Sequence, residues 1–110
     1  MNSLPSYDGP GVYEIVNKTN GKIYIGSSVN LKARAYAHFL HLNNHKHYSR
    51  SLQVDYSKGN QFEFRILKKI EGISLFPRAH LISVLREEEE RFYSSLSEPL
   101  TSHRVQYCNS

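Results

Sequence analysis

The stretch from Gly11 to Gly26 constrains the fold of this chain more than any other. Val12 to Asn17 and Lys22 to Gly26 are rich in β-branched and aromatic residues, with Thr19-Asn20-Gly21-Lys22 between them. Asn-Gly supplies the positive φ angles of a type I′ turn, so the stretch reads as a β-hairpin. With Asn20 and Gly21 as the two loop residues, Asn17 pairs with Tyr24 and Ile15 with Gly26; a three-residue loop would change that pairing. Side chains alternate along a strand, so Tyr13, Ile15, Tyr24 and Gly26 share one face. Two phenols then stand side by side, and Gly26 leaves room for another group to approach the backbone.

At 110 residues, of which 39% are hydrophobic, the chain is expected to form one globular domain with a modest core. No apolar run approaches the roughly 20 residues of a membrane span, and no signal-peptide core opens the sequence. The single cysteine, Cys108, excludes an intrachain disulfide and suits a reducing compartment. An intracellular location, cytoplasmic or nucleoid-associated, is therefore expected. The formal net charge of +4 suits a polyanionic partner.

Met1 to Pro10 reads as a loose arm. Ser27 to Asn30 offers N-caps for a helix from Leu31 to about Leu42, with Leu31, Ala35, Phe39 and Leu42 facing the sheet. Arg34 and His38, four residues apart, share a face of that helix. A short second helix is expected over Tyr48 to Tyr56, with Leu52 and Tyr56 inward. Phe62, Phe64 and Ile66 then alternate with Glu63, Arg65 and Leu67 in a third strand, ending at Lys68 and Lys69. Gly72 and Pro77 frame a loop, and a long helix runs from Arg78 to about Leu96 before Pro99. The fold class is α+β, a small three-stranded antiparallel sheet flanked by helices. His41 and His45 have the i,i+4 spacing of a zinc pair. Asn43-Asn44 reads as a helix end that splits them, and no cysteine or acid lies nearby, so a zinc site is not expected.

The run Glu87-Glu88-Glu89-Glu90 needs helical phase to resolve it. Leu85, Phe92, Tyr93 and Leu96 all lie within about 60° of Glu89 around a helix of 3.6 residues per turn. Glu89 is thus expected to point at the domain body and Glu90 at water. An inward carboxylate is costly unless paired or metal-bound, so Glu89 is the first of the four expected to hold a partner and Glu88 the second.

Gly11-Val12-Tyr13 with Tyr24-Ile25-Gly26, followed in order by Arg34, His38, His47 ahead of Leu52-Gln53, and a glutamate on the last helix, resembles the GIY-YIG nuclease superfamily, in particular the catalytic domain of phage-type homing endonucleases. The resemblance implies a nuclease domain over 11–96, between an arm (1–10) and a tail (97–110). It implies a metal-dependent DNA endonuclease working by a one-metal mechanism with a tyrosine general base. Its expected catalytic set is Tyr13, Tyr24, Arg34, His38, His47 and Glu89, with one Mg²⁺ or Mn²⁺ bound through Glu89. Arg34 would hold a phosphate oxygen and His38 relay the tyrosine's proton. His47 would orient water or phosphate. Tyr13 is favoured as base, with Tyr24 positioning, although the residues alone do not order the two. Gly26, Arg34, Lys46 and Arg50 are the expected DNA contacts. Phage-type members carry two large apolar residues three and four beyond the metal glutamate, and Phe92 and Tyr93 stand so to Glu89.

Two features depart from the family. The Tyr-Asn pair after the last helix has only Tyr107-Cys108-Asn109 as a counterpart, which makes Asn109 a poor match. No zinc finger, helix-turn-helix or basic arm is present either. The expected arrangements are a stand-alone nuclease of modest specificity acting as a homodimer, a catalytic piece of a longer protein, or a subunit with a specificity-providing partner. The alternative function is a non-catalytic nucleic-acid-binding module that keeps the fold. Its mark would be loss of the arginine or the glutamate, and both are present.

Overall fold

The computed structural model describes residues 4–70 and 78–96, with side chains of the last helix from 79 to 92. Its elements are β1 (Gly11–Asn17), β2 (Ile23–Ser28), α1 (Leu31–Asn43), α2 (Arg50–Ser57), β3 (Phe62–Lys69) and α3 (Arg78–Leu96). The three strands form one antiparallel sheet in the order β2-β1-β3, so the Gly-Val-Tyr strand is central. The loop from Gly72 to Pro77, the tail with Pro99 and Asn109, and the packing of Tyr93 and Leu96 lie outside the described residues. Among the described residues, no helix is long and apolar enough to cross a membrane.

The hairpin forms with a longer loop than the Asn-Gly pair predicts. Asn17 N–H donates to the Lys22 carbonyl at 2.8 Å, leaving Lys18 to Gly21 as a four-residue loop. Tyr13 therefore pairs with Gly26 and Ile15 with Tyr24, two residues away from the expected register. A two-residue shift keeps every side chain on its face. The cause is Asn17, whose Oδ1 accepts from the N–H of Thr19 at 2.9 Å and of Asn20 at 3.3 Å. This Asx turn replaces the type I′ geometry; Gly21 alone takes a positive φ, +81°, and Asn20 does not. Both asparagine amides also donate to Asp55 Oδ2 on α2, at 3.4 and 3.2 Å, so tertiary contact selects the loop.

Each sheet face builds its own core. Tyr13, Ile15, Tyr24, Phe62 and Phe64 pack with Leu31, Ala35 and Leu42 of α1 and Leu52 of α2. On the other face Val12, Val16, Ile23 and Ile25 pack with Leu67 and with Phe92 of α3. A bulge between the Val12–Lys68 and Tyr13–Ile66 pairs skips Leu67. Leu67 and Lys68 both turn toward α3, where Lys68 Nζ reaches Glu88 at 3.1 Å.

In α1, Asn30 is the N-cap, its Oδ1 accepting from Ala33 N–H at 2.9 Å. The inward stripe is Leu31, Ala35, His38 and Leu42, whereas Phe39 is only half-buried. A histidine thus takes an inward place expected for phenylalanine, because both its ring nitrogens find partners there. After Asn44, His45 sits at φ +57° and Lys46 N–H bonds the His41 carbonyl at 2.8 Å, a Schellman closure. The helix end falls between His41 and His45, as the Asn-Asn pair suggests. This closure turns the chain back so that His47 returns beneath α1. α2 begins at Arg50, two residues later than Tyr48, because the backbone N–H groups of His47 and Ser49 are engaged by side chains instead.

Candidate active site

Tyr13 lies at the middle of the sheet, 1% exposed, its ring stacked on Phe64 at 4.8 Å. Opposite it, Gly26 has no side chain because the phenol occupies that space. A Cβ there would stand 2.6 Å from Tyr13 Cζ and closer still to its Oη. The room expected beside Gly26 is filled from within by Tyr13, and Gly26 is buried. Tyr24 stands beside Tyr13 with ring centroids 6.5 Å apart, and His38 meets both rings edge-on at 5.4 Å.

A chain of buried hydrogen bonds starts at the Tyr13 hydroxyl. Its oxygen is 2.6 Å from His38 Nε2, and His38 Nδ1 is 2.7 Å from His47 Nε2. The backbone N–H of Ser49 then donates to His47 Nδ1 at 3.0 Å. Gln53 holds the segment in place: its Oε1 accepts from His47 N–H at 3.1 Å, and its Nε2 donates to the Leu42 carbonyl at 3.1 Å. Burial, then the charges of His47, Arg34 and His41, lower the His38 pKa to about 3. Burial likewise lowers that of His47 to about 4, with the Ser49 backbone opposing in part and His41 adding to the fall. Both imidazoles are neutral at physiological pH. Both ring nitrogens of His47 are engaged inside the protein, by His38 and by the Ser49 backbone.

Tyr48, expected at the start of the second helix, instead joins this network. Its hydroxyl bonds that of Tyr24, and its ring stacks on His47 at 4.7 Å while staying 47% exposed. Position beside His47 was the one sequence signal that could have picked it out. Arg34, Ala37, His38, His41 and Tyr48 line a cleft of about 230 Å³ over this network. Arg34 is exposed at its mouth and also lines a second cleft of about 220 Å³, with Ser27, Ser28, Leu85 and Arg86. Lys46 and Arg50 are exposed to either side of Tyr48 in the chain.

The glutamate run divides by environment. Glu87 and Glu90 are exposed, while Glu88 and Glu89 are partly buried. Lys68 at 3.1 Å and Arg91 at 3.5 Å take up Glu88. Glu89 accepts from Ser27 Oγ at 2.9 Å, and among the described residues no lysine or arginine forms a salt bridge with it. α3 lies against the sheet face opposite the phenols. Among the described residues the expected side chains fall into three places. Tyr13, Tyr24, His38 and His47 form one network, Glu89 sits across the β2 edge at Ser27, and Arg34 lies between.

Three comparisons place this geometry. The model of the GIY-YIG catalytic domain matches residues 9–96. The chain belongs to the GIY-YIG family. Over 61 residues, 54% of its length, this GIY-YIG chain is 41% identical to an intron-associated endonuclease 1 of Enterobacteria phage T4, and the match spans 25% of that relative. Its fold is similar to the catalytic domain of homing endonuclease I-TevI, with a TM-score of 0.66 and 28% identity over 87% of this chain and 97% of that one. A glutamate-to-alanine mutant of the same catalytic domain aligns at a TM-score of 0.69 and 27% identity, covering 92% of this chain and 93% of the other.

A divalent ion fits this GIY-YIG site in one respect. Among the described residues no group of three or more histidine, cysteine or acidic side chains forms a cage. A lone half-buried carboxylate, one oxygen steadied by a serine hydroxyl, suits Mg²⁺, which keeps most of its waters and takes one or two carboxylates.

Proposed function

We propose that this GIY-YIG chain is a DNA endonuclease that hydrolyses phosphodiester bonds with a single Mg²⁺ or Mn²⁺ ion. The position of Arg34 carries this reading. It is exposed and borders both the tyrosine–histidine cleft and the cleft whose Ser27 holds Glu89. A phosphodiester seated at Arg34 would have phenols on one side and a carboxylate on the other.

In this reading Arg34 binds a non-bridging phosphate oxygen through charge-assisted hydrogen bonds and stabilises charge as it develops. Glu89 holds the ion, with Ser27 orienting the carboxylate. When bound, such an ion supplies Lewis-acid charge neutralisation and eases departure of the leaving oxygen. Tyr13, hydrogen-bonded to His38, takes the proton of the attacking water, and Tyr24 positions water or phosphate. Tyr48 buttresses Tyr24. Lys46 and Arg50 bind flanking phosphates, as exposed cations do without reading sequence.

Nicking of supercoiled plasmid with Mg²⁺, with and without chelator, tests the reading. Arg34→Ala and Glu89→Ala are expected to lower cleavage at least ~10²-fold with unchanged melting temperature. Glu90→Ala should cut like wild type. Tyr13→Phe should lose cleavage, whereas loss confined to Tyr24→Phe would transfer the base role to Tyr24. Plasmid that is bound yet left whole in Mg²⁺ would make the chain a binding module. Activity lost with Glu90 and kept without Glu89 would overturn the choice of ligand.

A further inference from the structure

We propose that His47 is a positioning residue that fixes the ring tautomer of His38, so that His38 donates a hydrogen bond to the Tyr13 oxygen and does not receive the Tyr13 proton. The inference deepens the reading of Tyr13 as general base and rests on it for its catalytic meaning, though not for the wiring itself.

In this network the Ser49 backbone is the donor whose hydrogen is fixed. Ser49 N–H points at His47 Nδ1 from 3.0 Å, so Nδ1 must present its lone pair. A neutral imidazole carries one hydrogen, which places that of His47 on Nε2, aimed at His38 Nδ1 at 2.7 Å. His38 Nδ1 is then an acceptor, and its hydrogen sits on Nε2, 2.6 Å from the Tyr13 oxygen. Every link runs one way, from the Ser49 backbone to Tyr13. The opposite direction would need hydrogens on His38 Nδ1 and His47 Nδ1, the latter facing the Ser49 N–H head-on in a buried site. Burial of both rings keeps them neutral, so neither escapes the choice by taking a second proton. Gln53 anchors the His47 backbone and thereby the geometry on which the direction depends.

The chemical consequence concerns the phenolate. Donation to an oxygen favours its charged form. Among the described residues, Tyr24 and Phe64 face Tyr13 from the sheet, with Arg34 and His41 of α1 and Tyr48 beyond His38. None of these is an anion. When Tyr13 becomes a phenolate its proton leaves to bulk water; the phenolate then takes one proton from the attacking water, restoring the phenol and leaving hydroxide as nucleophile. The histidine pair holds the oxygen throughout and carries no proton away.

Long-range ¹H–¹⁵N correlation of the ring nitrogens in the full chain at pH 7 reads the tautomers directly. The expected result is Nε2–H for both His38 and His47; Nδ1–H at either ring, or an imidazolium, overturns the proposal. Activity gives the second readout. His47→Gln keeps an N–H toward His38 but cannot titrate, so it should hold His38 as Nε2–H and cleave within about tenfold of wild type, while His47→Ala falls about 10²-fold. A folded His47→Gln as inactive as His47→Ala points to a proton carrier and overturns the proposal. If both variants fail to fold, the wild-type spectrum decides. A chain that never cuts DNA yet shows both Nε2–H rings would refute the nuclease reading and leave the wiring intact.

Discussion

Replacing Gly26 by alanine tests the observed strand register and the placement of Tyr13 together. The new methyl would meet Tyr13 at Oη, at Cζ from 2.6 Å and at Cε1 from 3.0 Å. The ring cannot easily yield, since Phe64 stacks on it at 4.8 Å and His38 holds its hydroxyl at 2.6 Å. Overpacking of this kind costs about 1–3 kcal/mol. Weakening the buried hydrogen bond adds about 1–2 kcal/mol. A loss of about 3 kcal/mol in a domain of this size lowers the melting temperature by about 10–20 °C. Urea unfolding of Gly26→Ala, Tyr13→Phe and the double variant measures the coupling. Because the phenol's oxygen is the nearest atom, its removal should relieve part of the clash and give a coupling of about 1 kcal/mol. Gly21→Ala is the control: at φ +81° with open space around it, it costs about 1 kcal/mol through backbone strain and does not couple to Tyr13. A Gly26→Ala protein within about 0.5 kcal/mol of wild type, or one indifferent to Tyr13→Phe, would refute this packing.

Three further outcomes follow from the geometry. Because the folded pKa values of His38 and His47, about 3 and about 4, lie below the ordinary 6.5, the unfolded chain binds more protons between them. Stability should therefore be level above roughly pH 7.5 and fall by about 3 kcal/mol per histidine, roughly 6 kcal/mol in all, by pH 4, a slope that the double variant His38→Gln/His47→Gln loses in calorimetric scans. Asp55→Ala, which strips an acceptor from Asn17 and Asn20, should lower stability by about 2 kcal/mol in urea and speed amide exchange in the Lys18–Gly21 loop. Tyr48→Phe, which removes only the hydroxyl facing Tyr24, should leave stability within about 1 kcal/mol of wild type while lowering the cleavage rate; an unchanged rate would remove Tyr48 from the site.

Local sequence determined the elements and their faces. β-branched runs around Asn-Gly made a hairpin, period-two alternation put Tyr13 and Tyr24 on one side, and helical spacing set Leu31, Ala35 and Leu42 inward and turned Glu90 to water. These follow from backbone periodicity, which neighbours in the chain are enough to specify. Tertiary structure alone decided the register, the partners and the hydrogen-bond direction. Asp55, 35 positions beyond Asn20, helped draw the loop away from the turn its own residues prefer. Tyr13, rather than an outside ligand, claimed the space at Gly26. A Schellman turn brought His47 under His38, and Ser49 then set which nitrogen carries hydrogen. Such outcomes depend on buried polar groups finding partners from distant segments, and no local pattern encodes where those partners will be.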